Sequence, residues 1–201
     1  MPRKRSLTSS LIVIALVVPA GLLGTAATAA SASPPKLSAM LLSIGQMPIG
    51  WSVVSSAGGG GAGCLANVLE PKEIKQTAKA SVSFEDNGNV PAVDEGLATF
   101  TNAKTGYKQI VANLMACKHF SGKSGGEKVT GTVGQMSFPH YGDASAAFAV
   151  SFTAQGTEFG EDLLIVRVGS VVMGIDEGDL VSVNVIQFQG FVKKAVAKLP
   201  S

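Results

Sequence analysis

The chain has 201 residues, a formal net charge of +2 and a hydrophobic fraction of 46%. Three of its basic residues are Arg3, Lys4 and Arg5, and residues 33–201 contain 13 basic and 14 acidic residues. A nearly neutral domain lacks both the basic surface of a nucleic-acid-binding protein and the polybasic patch that attracts anionic lipid. We therefore expect no nucleic acid among its partners and no partner that is recognised by charge alone.

Residues 1–32 have the pattern of an export signal. Their basic start is followed by an apolar segment from Leu11 to Leu23 and by small-residue cleavage sites ending at Ala29 or Ala32. This pattern predicts a secreted or cell-wall-associated product with no stable membrane anchor after cleavage. The alternative is that the apolar segment is kept as a membrane anchor.

Cleavage after Ala32 would leave 169 residues, which is enough for one domain with a hydrophobic core. We expect residues 33–36 to form a short tether and residues 37–201 to form a single domain.

Cys64 and Cys117 are the only cysteines. In an exported chain an isolated pair indicates a disulfide, and the alternative is two free thiols, one of them reactive. A bridge that closes a loop of this length is worth about 4 kcal/mol in the chain-entropy description.

Apolar residues at helical spacing predict three helices, at residues 37–44, 103–118 and 185–199, and a short helical turn at 64–69. Asn102 is the expected N-cap of the second helix. Leu114 and Cys117 are one turn apart, which directs the Cys117 sulfur toward the core. Alternating or continuous apolar runs predict seven strands, at residues 51–55, 80–85, 93–100, 129–138, 146–153, 163–168 and 171–175.

The last four predicted strands form an antiparallel meander, with a two-residue hairpin turn at Gly169 and Ser170. The fold class that follows is α+β: an antiparallel β-sheet flanked by amphipathic helices and crosslinked by one disulfide.

Two glycine motifs suggest catalytic or nucleotide chemistry but occur in the wrong context. The run at residues 58–63 matches a dinucleotide fingerprint with Asp86 about 20 residues further on, yet Pro71 ends the helix that should hold the pyrophosphate. The pattern Gly122-x-Ser124-x-Gly126 resembles a nucleophile elbow, but it follows a helix and precedes a strand. We interpret the second motif as a polar loop.

Metal and cofactor sites are not indicated. His119 and His140 are the only histidines, and they cannot make a zinc site with two cysteines that are already paired. The acidic residues of the last third lack the ligand spacing of a calcium loop and are interpreted as a solvated acidic turn. These residues are Glu161, Asp162, Asp176, Glu177 and Asp179. We expect no cofactor and no metal.

Four aromatic residues, Trp51, Tyr107, Phe148 and Phe152, are candidates for lining an apolar ligand pocket. Residues of this type at strand and helix spacing are also typical of a plain core.

Several stretches together resemble a known family. They are the turn at residues 47–51, the helix that ends in Met115-Ala116-Cys117, the sequence Gly142-Asp143-Ala144 before a strand, the hairpin at residues 166–172 and the terminal helix. This arrangement resembles the actinobacterial secreted and lipoprotein sensor-type domains related to the extracellular domain of the mycobacterial serine/threonine kinase PknH. The resemblance implies an antiparallel sheet with helices, disulfide support and an extracellular ligand, with no catalytic residues. The extracellular domain of the kinase has two disulfides, whereas this chain can form only one.

Three functions follow as hypotheses, of which the third is a purely structural surface protein. The first is a non-catalytic, sensor-like binding domain that recognises a small molecule, a cell-envelope component or a protein. The second is a cell-envelope hydrolase that uses paired carboxylates. Its candidate acids are Glu85, Asp86, Glu95 and Asp143. The absence of a recognisable set of nucleophile, base and metal ligands favours binding.

Overall fold

A computed structural model describes residues 36–55, 62–67, 71, 74–124 and 126–200. The predicted export signal, residues 33–35 of the predicted tether and most of the glycine run at 58–63 lie outside the described residues.

One antiparallel sheet of eight strands dominates the described part of the chain. Its strand order is β1-β2-β3-β8-β7-β6-β5-β4. Neighbouring strands are therefore consecutive in the chain except for the pair β3 and β8. The strands are β1 (Trp51–Val54), β2 (Gln76–Asp86), β3 (Asn89–Phe100), β4 (His119–Ser124), β5 (Glu127–Met136), β6 (Ala144–Ala154), β7 (Thr157–Val168) and β8 (Val171–Leu180).

Three α-helices occur among the described residues: α1 (Leu37–Met40), α2 (Ala103–Ala116) and α3 (Val185–Val196). Short 3-10 segments lie at Ile44–Gln46 and Gly63–Asn67. The predicted cap of α2 is confirmed, because the Asn102 side chain accepts a hydrogen bond from the backbone N–H of Thr105 at 3.0 Å. Asn184 caps α3 in the same way.

The two faces of the sheet carry separate hydrophobic clusters. Because side chains alternate along a strand, β7 directs Leu163 and Ile165 to one face and Leu164 and Val166 to the other. The first face, here the α2 face, packs against α2 over β3, β5, β7 and β8. The second, the α3 face, holds α1 and α3 over the half of the sheet that contains β2, β3 and β8.

The α+β class, the antiparallel sheet and the single disulfide are confirmed. The meander from β5 to β8 is present with the predicted turn, in which Gly169 has a φ of 54°. A left-handed φ suits glycine because no Cβ opposes it.

Two sheet predictions were wrong. The segment that contains Gly122 is not a loop but belongs to the edge strand β4, paired with β5. The β2–β3 hairpin is longer than predicted, and its turn is at Asn87 and Gly88, with φ values of 49° and 75°. Asn-Gly is a strong signal for a two-residue hairpin turn, and it was available in the sequence.

The helices are shorter than predicted. The first helix ends at Met40, and the chain continues into the 3-10 turn at Ile44–Gln46. The helix α2 ends at Ala116 and α3 at Val196. None of the helices in the described part of the chain has the length and apolar character needed to span a bilayer.

The disulfide joins the segment Gly63–Asn67 to the end of α2. Cys64 and Cys117 are bonded, with their Cα atoms 5.7 Å apart. Cys117 is 3% exposed and belongs to the cluster on the α2 face, as its predicted orientation requires. The bridge closes a loop with a sequence separation of 53 residues.

Replacing both cysteines by alanine should lower the free energy of unfolding by about 4 kcal/mol, because the unfolded chain regains the entropy that the crosslink removes. Denaturant titration of wild type and variant measures the difference. The wild type in reductant should show the same loss. A loss below about 1 kcal/mol, or alkylation of two thiols in unreduced protein, would contradict a stabilising bridge.

Candidate functional site

A cavity of about 560 Å³ lies on the part of the sheet built by β4, β5, β6 and β7, next to the segment that follows β8. Its lining residues are His119, Phe120, Thr130, Gly131, Thr132, Ser151, Phe152, Thr153, Glu158, Phe159 and Val181. This volume is within the range of typical small-ligand sites.

The polar lining residues belong to two rows that cross four strands. In the first row His119 is opposite Thr132, and Thr132 is opposite Ser151. In the second row Thr130 is opposite both Ser121 and Thr153, and Thr153 is opposite Glu158. We call these side chains the polar floor: His119, Ser121, Thr130, Thr132, Ser151, Thr153 and Glu158.

The polar floor lies on the α3 face of the sheet. Ser151 has the same parity along β6 as Ala147, which belongs to the α3-face cluster, and neighbouring Phe152 belongs to the α2-face cluster. The floor side chains are exposed, apart from the half-buried Thr153. The strands β4 to β7 therefore present apolar side chains on the α2 face, while the alternate residues of the same strands make the opposite face rich in hydroxyls.

The chain after β8 closes one end of the cavity. A Cβ atom at Gly160 would lie 2.9 Å from the carbonyl oxygen of Val181, so the close crossing requires a glycine in β7. Val181 has a φ of 68° and is 71% exposed. A β-branched residue in this left-handed region is strained, and such strain is often found at binding sites.

A second polar feature lies at the centre of the sheet. The strands β3, β7 and β8 each carry two consecutive acidic residues, which we call together the acid ladder: Asp94, Glu95, Glu161, Asp162, Asp176 and Glu177. Asp94 is directly opposite Asp176, and Asp162 is directly opposite Glu177. Among the described residues no group of three or more His, Cys, Asp or Glu side chains is arranged to hold a metal ion.

Three members of the ladder, Asp94, Glu161 and Asp176, are on the α2 face. Burial raises the pKa of Asp94 to about 6, although the hydrogen bond that the Ser83 hydroxyl donates to it acts to lower the pKa. Burial, followed by repulsion from Asp94 and Asp162, raises the pKa of Glu161 to about 8. Burial and the neighbouring Glu161 and Asp94 also raise the pKa of Asp176. Because each carboxyl repels the others when ionised, the three titrate as an interacting group.

Glu95, Asp162 and Glu177 are on the α3 face. Burial raises the pKa of Glu95 to about 7, although its Oε2 accepts a hydrogen bond from the backbone N–H of Leu42 at 2.6 Å and Lys198 favours its charged form. Burial raises the pKa of Glu177 to about 8. Both glutamates are 1% exposed, and each has one buried oxygen without a hydrogen-bond partner in the described part of the protein.

The prediction of a solvated acidic turn was wrong. Glu161 and Asp162 are in β7 and are buried, and Asp176 and Glu177 are in β8. The sequence interpretation placed these residues in a turn because they lack the ligand spacing of a calcium loop, and the predicted strands began at 163 and ended at 175. The apolar residues on both sides, such as Ile175 and Leu163, carry the strands through the charged positions.

The four aromatic candidates do not come together. Trp51 is buried on the α3 face, where its ring is 5.3 Å from that of Phe191. Phe148 is buried on the α2 face, against which the half-buried Tyr107 of α2 packs. Phe152 is the one of the four that lines the cavity. Contact between any of these rings and a ligand stays a prediction.

The candidate acids of the hydrolase hypothesis are also dispersed. Glu95 is buried in the ladder, while Asp143 pairs with Arg167 at 2.8 Å. Glu85 and Asp86 follow each other in β2. The carboxylates that the structure does bring opposite each other, Asp94 with Asp176 and Asp162 with Glu177, were not among them.

No family model matches the chain, and no curated protein matches it. Among solved structures, the extracellular domain of PknH from Mycobacterium tuberculosis superposes with a TM-score of 0.57 over 80% of this chain and 93% of that chain. The two chains are similar in fold. Their sequence identity is 12%, so the comparison supports the resemblance in fold and transfers no residue role.

We expect the raised pKa values of the acid ladder to make the fold more stable in mild acid than at alkaline pH. A carboxyl whose pKa is raised on folding keeps its proton in the native state when the unfolded chain has lost it. Its stabilising contribution is complete below the ordinary pKa of 4.5 and is lost as the pH rises through the folded value, about 7 for Glu95. That difference corresponds to about 3 kcal/mol between pH 4 and pH 8.

Glu95→Gln tests this assignment. The glutamine carbonyl can still accept the Leu42 N–H, but it cannot ionise. The variant should match wild type at pH 4 and be more stable by about 3 kcal/mol at pH 8, measured by urea unfolding. Glu127→Gln, at an exposed position of β5, is the matched control and should leave the pH dependence unchanged. An unaltered pH slope in Glu95→Gln would contradict the assignment.

Proposed function

We propose that the chain is a secreted or cell-wall-associated, non-catalytic domain of the sensor type, and that it binds an extracellular or cell-envelope ligand in the cavity above the polar floor. The observation that carries the proposal is the cavity itself. The sheet buries its α2 face beneath α2, yet leaves exposed hydroxyls on the half of the opposite face that the cavity occupies.

The composition of the floor supports binding rather than structure. Exposed side chains such as Thr130, Thr132 and Ser151 contribute little to stability, but each hydroxyl can both donate and accept a hydrogen bond. Polar groups that line a concave site can fix the orientation of a bound ligand.

The comparison and the export signal support the location. The similar fold belongs to a domain described as extracellular. The basic and apolar start of this chain is typical of an exported protein. A disulfide such as Cys64–Cys117 is stable in an oxidising compartment.

Ser151→Arg tests the cavity as the binding site. The purified domain is incubated with cell-envelope fragments, and co-sedimentation is measured together with released sugar and peptide. An arginine at the centre of the floor would fill the cavity and should reduce co-sedimentation at least tenfold. Ala112→Arg, at an exposed position of α2 on the other face, adds the same charge and should bind as wild type does.

Binding that survives Ser151→Arg would place the ligand elsewhere, and no binding by wild type would reject the proposal. The melting temperature of both variants should stay within a few degrees of wild type, because both positions are exposed.

A hydrolase is the second candidate, favoured by the carboxylate pair on the α2 face. Asp94 and Asp176 are directly opposite each other on β3 and β8, and retaining glycosidases use two neighbouring carboxyl groups. The raised pKa of Asp94, about 6, suits a shared proton.

The double variant Asp94→Asn and Asp176→Asn separates the two functions. If the domain binds without turnover, the variant should sediment with envelope fragments as wild type does, and neither protein should release products. Release of sugar by wild type that is lost in the variant would establish the hydrolase and reject the non-catalytic proposal.

A further inference from the structure

We propose that the polar floor binds a short zwitterionic peptide of about four residues that lies across the strands, with its ammonium end at β7 and its carboxylate end at β4. This inference rests on the proposed function of the same cavity and adds the chemical class, length and direction of the ligand.

Basic and acidic side chains lie at opposite ends of the polar floor. Lys123 and Lys128 are directly opposite each other on β4 and β5, and they have the same strand parity as the floor residues Ser121 and Thr130. Glu158 is at the β7 end of the row that begins with Ser121. In the described part of the chain, none of Lys123, Lys128 and Glu158 forms an ion pair. Their charges are therefore available to a ligand.

The wall of the cavity gives the site a direction. At the β7 end the chain crosses over Gly160 through Val181, and Val181 and Glu158 both line the cavity there. The β4 end is an edge of the sheet, beside Lys123. A primary ammonium fits the acidic end, which Val181 borders, whereas a carboxylate fits the basic end at the sheet edge.

The width of the floor from β4 to β7 sets the length. From β4 to β7 there are three inter-strand steps of about 4.8 Å each, or roughly 14 Å. An extended peptide rises about 3.3 Å per residue, so about four residues span this distance.

The hydroxyls between the charged ends suit a peptide backbone. Thr130 and Thr153 lie between Ser121 and Glu158 in one row, and Thr132 and Ser151 lie in the next. Hydroxyls that donate and accept can pair with the alternating N–H and C=O groups of a chain that crosses them.

The aromatic rings near the cavity do not favour a sugar. The rings of Phe120 and Phe152 belong to the cluster on the α2 face, and Phe159 packs against the same cluster. By strand alternation these rings point away from the floor, so the floor has no aromatic platform on which a pyranose ring could stack.

Calorimetric titration of the mature domain with tetra-alanine tests the proposal, with two capped forms as probes: N-acetyl-tetra-alanine and tetra-alanine amide. Acetylation should weaken binding at least tenfold, and so should Glu158→Gln with the free peptide. In Glu158→Gln the acetylated and free peptides should bind equally. Wild type should bind tetra-alanine more tightly than tetra-alanine amide, whereas the double variant Lys123→Gln and Lys128→Gln should bind the two with equal affinity.

Two controls and two competing ligands complete the test. Glu127→Gln and Lys104→Gln, both exposed and outside the floor, should bind tetra-alanine as wild type does. Di-alanine should bind at least tenfold more weakly than tetra-alanine, because it cannot reach both charged ends. Chitotetraose should not compete with the peptide.

The outcomes separate this inference from the proposed function. If envelope fragments bind in a manner sensitive to Ser151→Arg but tetra-alanine does not bind, the peptide inference is overturned and the binding function stands. Chitotetraose binding that Ser151→Arg abolishes would likewise replace the peptide by a sugar. If neither fragments nor peptide bind, both proposals fail.

Discussion

The register of β3, β8 and β7 is the constraint on which the rest of the structure depends. Side chains alternate along each strand, so a slip of one residue would move every side chain of a strand to the other face. The observed register places Val93, Leu97 and Met173 together on the α3 face and at the same time aligns the six acids of the ladder. Apolar packing on both faces therefore forces carboxyls into the interior.

The ladder is the least favourable part of the core. Burying a carboxylate without a cationic partner costs free energy unless the group keeps its proton. Lys198 favours the charged form of Glu95, whereas Glu161 has mainly other acids as its electrostatic neighbours. Protonation thus replaces ion pairing as the means by which the sheet accommodates these groups, which links its stability to pH.

Local patterns were sufficient for much of the fold. The meander, α2 and α3 each depend on a short-range signal, an apolar period or a cap such as Asn102, and the bridge follows because the chain has only two cysteines. The edge strand β4 was missed because its small residues carry no apolar period, and its pairing with β5 supplies the hydrogen bonds instead. The ladder was missed because the opposition of Asp94 and Asp176 depends on pairing between distant strands.

The polar floor was not predictable for a related reason. Serines and threonines such as Ser151 and Thr132 form no motif along the sequence, and they become a site only where four strands align them. The cavity also depends on how the chain after β8 crosses Gly160 on its way to α3. The aromatic residues that the sequence predicts as pocket candidates are mostly part of the core, because burying a large apolar side chain in either cluster lowers the free energy of the folded state.

Two lysines in and after α3 form hydrogen bonds with the segment that follows α1, which brings distant parts of the chain together. Lys194 Nζ donates a hydrogen bond to the carbonyl oxygen of Gln46 at 2.5 Å, and Lys198 donates one to the carbonyl of Leu41. Residues 41 and 198 are thus spatial neighbours, although nearly the whole domain separates them along the polypeptide. A short peptide bridge between these two regions would allow circular permutation, with new ends opened at the exposed Gly169-Ser170 turn.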